Sequence, residues 1–167
     1  FDNTCIIYDI ESGKEVAKLE IEGVPMLTKF SKDNTKLYYA TILNSDTCFY
    51  VYDTATWQKQ GGVVINGQVQ YADIKSDGSE VLVTLADNTE DQLTRRSLKD
   101  GNIIDTIPRI KGINLEQNEF DKPYKAASYS ADGKNIILLT EGEIMKVSLE
   151  DKTEVFRQDM YITPTDT

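Results

Sequence analysis

"YSADGKNIILL", Tyr129–Leu139, sets a polar Ser-x-Asp-Gly turn directly before a run of aliphatic residues. Asp-Gly tolerates positive φ, which a two-residue turn between twisted antiparallel strands requires, so the stretch predicts a tight hairpin. The same pattern occurs twice more, in "FSKDNTKLYYA" (Phe30–Ala40) and "IKSDGSEVLVT" (Ile74–Thr84). The run after each turn is short and rich in Val, Ile, Leu and Tyr, as strands are.

A second pattern alternates with the first. "IIYDIESGKEV" (Ile6–Val16), "YVYDTATWQKQ" (Tyr50–Gln60), "TRRSLKDGNII" (Thr94–Ile104) and "MKVSLEDKTEV" (Met145–Val155) share one shape. A strand ends in Asp or Ser, a polar turn of about four residues follows, and another strand begins. The marker residues Asp9, Asp53, Ser97 and Ser148 lie 44, 44 and 51 residues apart. A period near 44 falls in the range of four-stranded propeller blades. Two interleaved motifs on one period argue against unrelated hairpins in a β-sandwich.

"FSKDNTKLYYA" and "YSADGKNIILL" resemble the Ser-x-Asp-Gly hairpin of WD-repeat-like β-propellers. "LYYATILNSDTCFYVYDTATWQ" (Leu37–Gln58) is similar to the bacterial Tyr-Val-Thr-Asn surface-layer propellers. The resemblance runs from about Thr4 to Gln158 and implies an all-β chain of four-stranded antiparallel blades. The Gly-His and Trp-Asp dipeptides of true WD repeats are absent. Tyr8-Asp9, Tyr52-Asp53, Arg96-Ser97 and Val147-Ser148 stand at the Trp-Asp place.

On this reading residues 1–167 form a single propeller segment. Residues 1–22 supply the outer half of a blade, and 24–66 and 67–108 one blade each. An inserted loop spans 109–124, a further blade 125–158 and a tail 159–167. Inside the first complete blade, the inner strand is placed at Pro25–Phe30 and the outer strand at Trp57–Val64. Fourteen strands result, fewer than the roughly sixteen that four closed blades need. The propeller in this chain is therefore expected to be incomplete, to be completed by missing blades or by a second copy. The tail "MYITPTDT" (Met160–Thr167) has length for one further inner strand.

Composition excludes several functions. The formal charge is −10, from 28 acidic and 18 basic residues, and no basic run exceeds Arg95-Arg96. Nucleic acid and anionic membranes are disfavoured as partners. No apolar window is long enough to span a bilayer. The chain begins at Phe1 and enters strand-like sequence at once, reading as a mature product or an excised segment. The compartment, bacterial extracytoplasmic or cytoplasmic, is left open. There are no histidines, which removes imidazole from nucleophile activation, acid–base work and metal ligation. Cys5 and Cys48 lack zinc-site spacing, fall in third strands of neighbouring blades and are expected to be free thiols.

The resemblance implies that binding uses the loops between strands two and three and between blades, a place where loop length varies freely. Those loops are "LNSDT" (Leu43–Thr47), "ADNTEDQ" (Ala86–Gln92), "TEGE" (Thr140–Glu143) and "RIKGINLEQNEFDKPY" (Arg109–Tyr124). The candidate binding residues are their carboxylates: Asp46, Asp87, Glu90, Asp91, Glu116, Glu119, Asp121, Glu141 and Glu143. Such a set suits a basic partner or a hard cation such as calcium. No EF-type ligand loop is present, and no cofactor is expected beyond that calcium. Trp57 reads as a packing residue, the serines before Asp-Gly as turn hydrogen-bonders. "GVVINGQVQ" (Gly62–Gln70) lacks the helix that would cradle phosphate.

No catalytic constellation emerges. The expected function is a non-catalytic binding or scaffold module that docks a protein, peptide or glycan. The alternatives are a metal-dependent propeller enzyme, lactonase- or lyase-like, and the sensing ectodomain of a bacterial membrane protein.

Overall fold

A computed structural model of the chain describes residues 4–85, 93–107, 124–140 and 142–160. Fourteen strands and no helix lie among them. The chain divides into two compact units, Phe1–Gln68 and Val69–Thr167.

The first unit holds a two-stranded sheet, β1 (Thr4–Tyr8) and β2 (Glu15–Glu20). A four-stranded sheet follows: β3 (Val24–Phe30), β4 (Lys36–Leu43), β5 (Asp46–Asp53) and β6 (Lys59–Ile65). The second unit holds two four-stranded sheets. One comprises β7 (Val69–Ile74), β8 (Glu80–Leu85), β9 (Leu93–Ser97) and β10 (Ile103–Ile107). The other comprises β11 (Ala126–Tyr129), β12 (Asn135–Leu139), β13 (Glu143–Ser148) and β14 (Glu154–Asp159). Every four-stranded sheet is an antiparallel meander in chain order.

The repeat is one of register as well as spacing. Across the first and second strands, Phe30 faces Leu37, Ile74 faces Val81 and Tyr129 faces Ile136. Across the second and third, Tyr39 faces Tyr50, Val83 faces Thr94 and Leu138 faces Met145. Across the third and fourth, Tyr52 faces Lys59, Arg96 faces Ile103 and Val147 faces Glu154. In the two-stranded sheet Tyr8 faces Glu15, the same pairing relative to the marker Asp9. By register, β1 and β2 are therefore a third and a fourth strand.

The turns explain why so many polar residues recur. In the first motif Asn34 N–H donates to the Ser31 carbonyl (2.9 Å), and Ser31 and Lys36 close the hairpin around four residues. Asn34, Gly78 and Gly133 take positive φ at the third of those four residues. The expected two-residue turn is thus replaced by a longer loop with one left-handed residue. A two-residue turn with both residues at positive φ exists instead at Asn44-Ser45, between β4 and β5. Ser31 and Ser130 hydroxyls donate to Asp33 and Asp132 at 2.6 and 2.5 Å, so they hydrogen-bond within the turn as the sequence implies. Lys75 holds that place in the second copy, its ammonium 3.2 Å from Glu80 and 3.6 Å from Asp77.

In the second motif the residue four after the marker is left-handed: Gly13, Trp57, Gly101 and Lys152. Trp57 thus belongs to the turn, and β6 starts at Lys59, two residues later than the sequence predicts. β3 starts at Val24 rather than Pro25. In each four-stranded sheet the residue after the marker ties the sheet's two turns together. Thr54, Leu98 and Leu149 donate N–H to the carbonyls of Thr35, Ser79 and Lys134, each at 3.0 Å.

Each unit has its own apolar core. In the first, Leu19 and Ile21 pack with Leu37, Tyr39 and Tyr52, flanked by Cys5, Ile7, Tyr50 and Trp57. In the second, Leu82, Leu93 and Ile107 pack with Tyr129, Ile136, Leu138 and Met145, so the two sheets share one core. Asp73 of β7 fixes their registry: its Oδ2 accepts from Tyr129 N–H and from the Ser128 hydroxyl, 2.8 Å each. Beside it, Glu80 takes Arg95 through both Nε (3.0 Å) and a terminal nitrogen (2.6 Å) and accepts the Tyr129 hydroxyl at 3.3 Å.

Candidate functional site

Strand β5 places Tyr50 and Tyr52 on one face, because alternate residues of a strand share a face. Gly62 stands opposite Tyr50, and Lys59 opposite Tyr52. A Cβ at residue 62 would lie 2.5 Å from the Phe49 carbonyl oxygen and 3.3 Å from Tyr50 Cδ1, so only glycine leaves the Tyr50 ring its position. The Lys59 ammonium sits 4.3 Å from the centre of that ring, within cation–π range.

Thr4, Glu20, Ile21 and Glu22 complete a cleft of about 490 Å³ with these three side chains. Burial raises the phenol pKa values of Tyr50 and Tyr52 above the ordinary value. Both rings therefore stay neutral at physiological pH; Tyr52 is buried in the first core, and the half-buried Tyr50 ring faces the cleft. Across the ladder from Tyr50, the Tyr39 hydroxyl is buried with no hydrogen-bond partner among the described residues. Burial first, then the Cys5 thiol, pushes its pKa up to about 12. One aromatic face, two carboxylates and one ammonium make a cleft for an amphipathic or charged ligand rather than for a purely apolar one.

The predicted acidic set fares differently. Asp46 and Glu143 lie among the described residues, and both begin strands rather than sitting in loops. Leu43 already pairs with Asp46, so "LNSDT" shortens to a two-residue turn. Asp46 accepts Gly67 N–H at 2.9 Å, which anchors the segment after β6. Glu143 is buried and pairs with Arg157 at 3.4 Å. The two belong to different units, each engaged within its own sheet or the segment beside it. Asp87, Glu90, Asp91, Glu116, Glu119, Asp121 and Glu141 lie outside the described residues, as does most of the inserted loop and of the tail. No group of three potential metal ligands occurs among the described residues. Cys5 and Cys48 are both free thiols. No helix is long and apolar enough to cross a membrane.

The cleft was not foreseen from sequence. Its available signal was the aromatic alternation Tyr50-Val51-Tyr52, with Lys59 placed to face Tyr52 once the four-residue turn is counted.

The fold has solved counterparts. The Myceliophteria thermophila Cps50 (Swd1) β-propeller domain is similar over 96% of this chain and 52% of its own, with TM-score 0.70 and 14% identity. This chain is built of β-propeller blades. Kuenenia stuttgartiensis hydrazine synthase is similar over 95% of this chain and 44% of its own, with TM-score 0.62 and 12% identity. The dihydro-heme d1 dehydrogenase NirN, in complex with DHE, matches 94% of this chain and 32% of its own, with TM-score 0.60 and 15% identity. The chain spans about half the length of the first of these propellers and less of the other two. No family model and no curated protein sequence matches it.

Proposed function

We propose that this propeller segment is a non-catalytic binding module and that the Tyr50–Tyr52 cleft takes a peptide segment carrying a basic residue. The supporting observation is the cleft itself: the Tyr50 ring already holds one cation, the Lys59 ammonium, and Glu20 and Glu22 supply carboxylates for the charge of a second. The formal charge of −10 steers basic partners towards the molecule as a whole. The carboxylates Asp87, Glu90, Asp91, Glu116, Glu119, Asp121 and Glu141 would add to that field.

The test is an array of basic, acidic and neutral peptides and of oligosaccharides, probed with the labelled chain and with its Tyr50→Ala variant. Retention of basic peptides, lost in the variant, is the expected result. Retention that ignores Tyr50, or confinement to oligosaccharides, would move the site elsewhere. The likeness to hydrazine synthase and to the dihydro-heme d1 dehydrogenase motivates a metal-dependent reading as well. Its test is metal analysis of the purified protein and a calcium-dependent thermal shift; no metal and no shift removes it.

A further inference from the structure

Equivalent positions of the repeat share their surroundings except at three places, two in the β1–β2 sheet and one at the end of β3. The third strands β5, β9 and β13 are each paired on both sides, whereas β1, a third strand by register, pairs among the described residues with β2 alone. Leu98, the residue after the marker, is 8% exposed and bonds to the turn at Ser79, while its counterpart Ile10 is 97% exposed and faces no such turn among the described residues. On the inner strands, Ile74 and Tyr129 are 1% and 8% exposed, but their counterpart Phe30 is 49% exposed. What covers Tyr129 is visible: β7 and β8 of the preceding blade, through Asp73 and Glu80. All three departures correspond to one object absent among the described residues, the equivalent of β7 and β8.

We infer that β1, Ile10 and Phe30 form a docking surface for one antiparallel β-hairpin, supplied by further sequence of the same polypeptide. Its chemistry follows from the repeat. Its second strand adds to the open edge of β1, its Ser-x-Asp-Gly-type turn accepts Ile10 N–H and covers the Ile10 side chain, and its first strand covers Phe30. An aspartate immediately before the last residue of that first strand, as Asp73 precedes Ile74, accepts Phe30 N–H. A second copy of the chain is a poorer donor. Each of its own hairpins of this type, β3–β4, β7–β8 and β11–β12, is already built into a four-stranded sheet. The Cps50 (Swd1) propeller, of which this chain covers 52%, has the additional length that the hairpin calls for.

The test extends the whole chain ahead of Phe1 by a copy of its own residues 67–91, with a scrambled copy as control. The extended chain should unfold at a higher temperature than either control, and amide exchange at β1, Ile10 and Phe30 should slow. Replacing the copied Asp73 by Ala should lose part of that gain. Ile10→Asp should leave the unextended chain's midpoint unchanged and abolish the gain in the extended one. Exchange at these amides that the extension does not alter would overturn the inference. So would an unextended chain that sediments as a dimer with β1 already protected, since a second copy would then be the occupant.

Discussion

Trp57 occupies a left-handed turn position that Gly13 and Gly101 fill elsewhere, and it does so with φ 57°. The strain of a large side chain there, on the order of 1 kcal/mol, is offset by packing of the indole against the first core. The two effects separate experimentally. Trp57→Ala loses the packing and keeps most of the strain, whereas Trp57→Gly loses the packing and relieves the strain. Glycine should therefore be the milder change by about 1 kcal/mol, measured by urea unfolding; equal losses would mean the turn is unstrained. Asp33 belongs to the same scale. The Ser31 hydroxyl first, then Thr35 N–H and hydroxyl, lower its pKa from 3.8 to about 2. A depressed folded-state pKa contributes stability that is present above 3.8 and lost as pH falls towards 2. A carbon-detected titration of the Asp33 carboxyl should show a midpoint near 2, moved upward in Ser31→Ala. Such turn bonds give Asp33, Asp53 and Asp132 a structural reason to recur.

At the scale of elements, β8 carries a polar network centred on Glu80. Glu80 is desolvated, which alone would raise its pKa, yet the bonds from Arg95 and Lys75 outweigh burial and hold it below the ordinary value. Glu80→Gln removes the nearer carboxylate from Arg95 and Lys75, which keep Asp105 and Asp77 at 3.6 Å, and should cost about 2 kcal/mol, read from chemical unfolding of the second unit. A loss below the size of a surface ion pair would show the network to be solvated. Gly62→Ala tests the cleft at this scale, because the added methyl meets the Phe49 carbonyl and the Tyr50 ring. It should weaken β5–β6 pairing and ligand retention together, seen as faster exchange at Phe49 and Val63. Elements of this kind were legible in the sequence where turn chemistry is local. Asp-Gly, Asp-Asn and the Asp or Ser markers located nearly every strand. Turn lengths were less legible: the Asp-Gly loops hold four residues, and the two-residue turn lies at Asn44-Ser45, because Asn and Ser also adopt positive φ.

For the molecule as a whole, the interval between markers carried the fold, since a constant period and a constant register follow from the same repeated sheet. The site was less legible because it joins residues from separate strands. Thr4 and Glu20 pair across β1 and β2, while Tyr50 and Lys59 come from another sheet. Acidity alone pointed to Asp46 and Glu143, but a carboxylate at a strand start finds a backbone N–H or an arginine close by. The most direct test of the repeated blade is cross-strand proton contacts by nuclear magnetic resonance at three equivalent positions. The register predicts close contacts between Tyr39 and Tyr50, Val83 and Thr94, and Leu138 and Met145. Contacts displaced by one residue in any blade, or helical sequential contacts in their place, would contradict it.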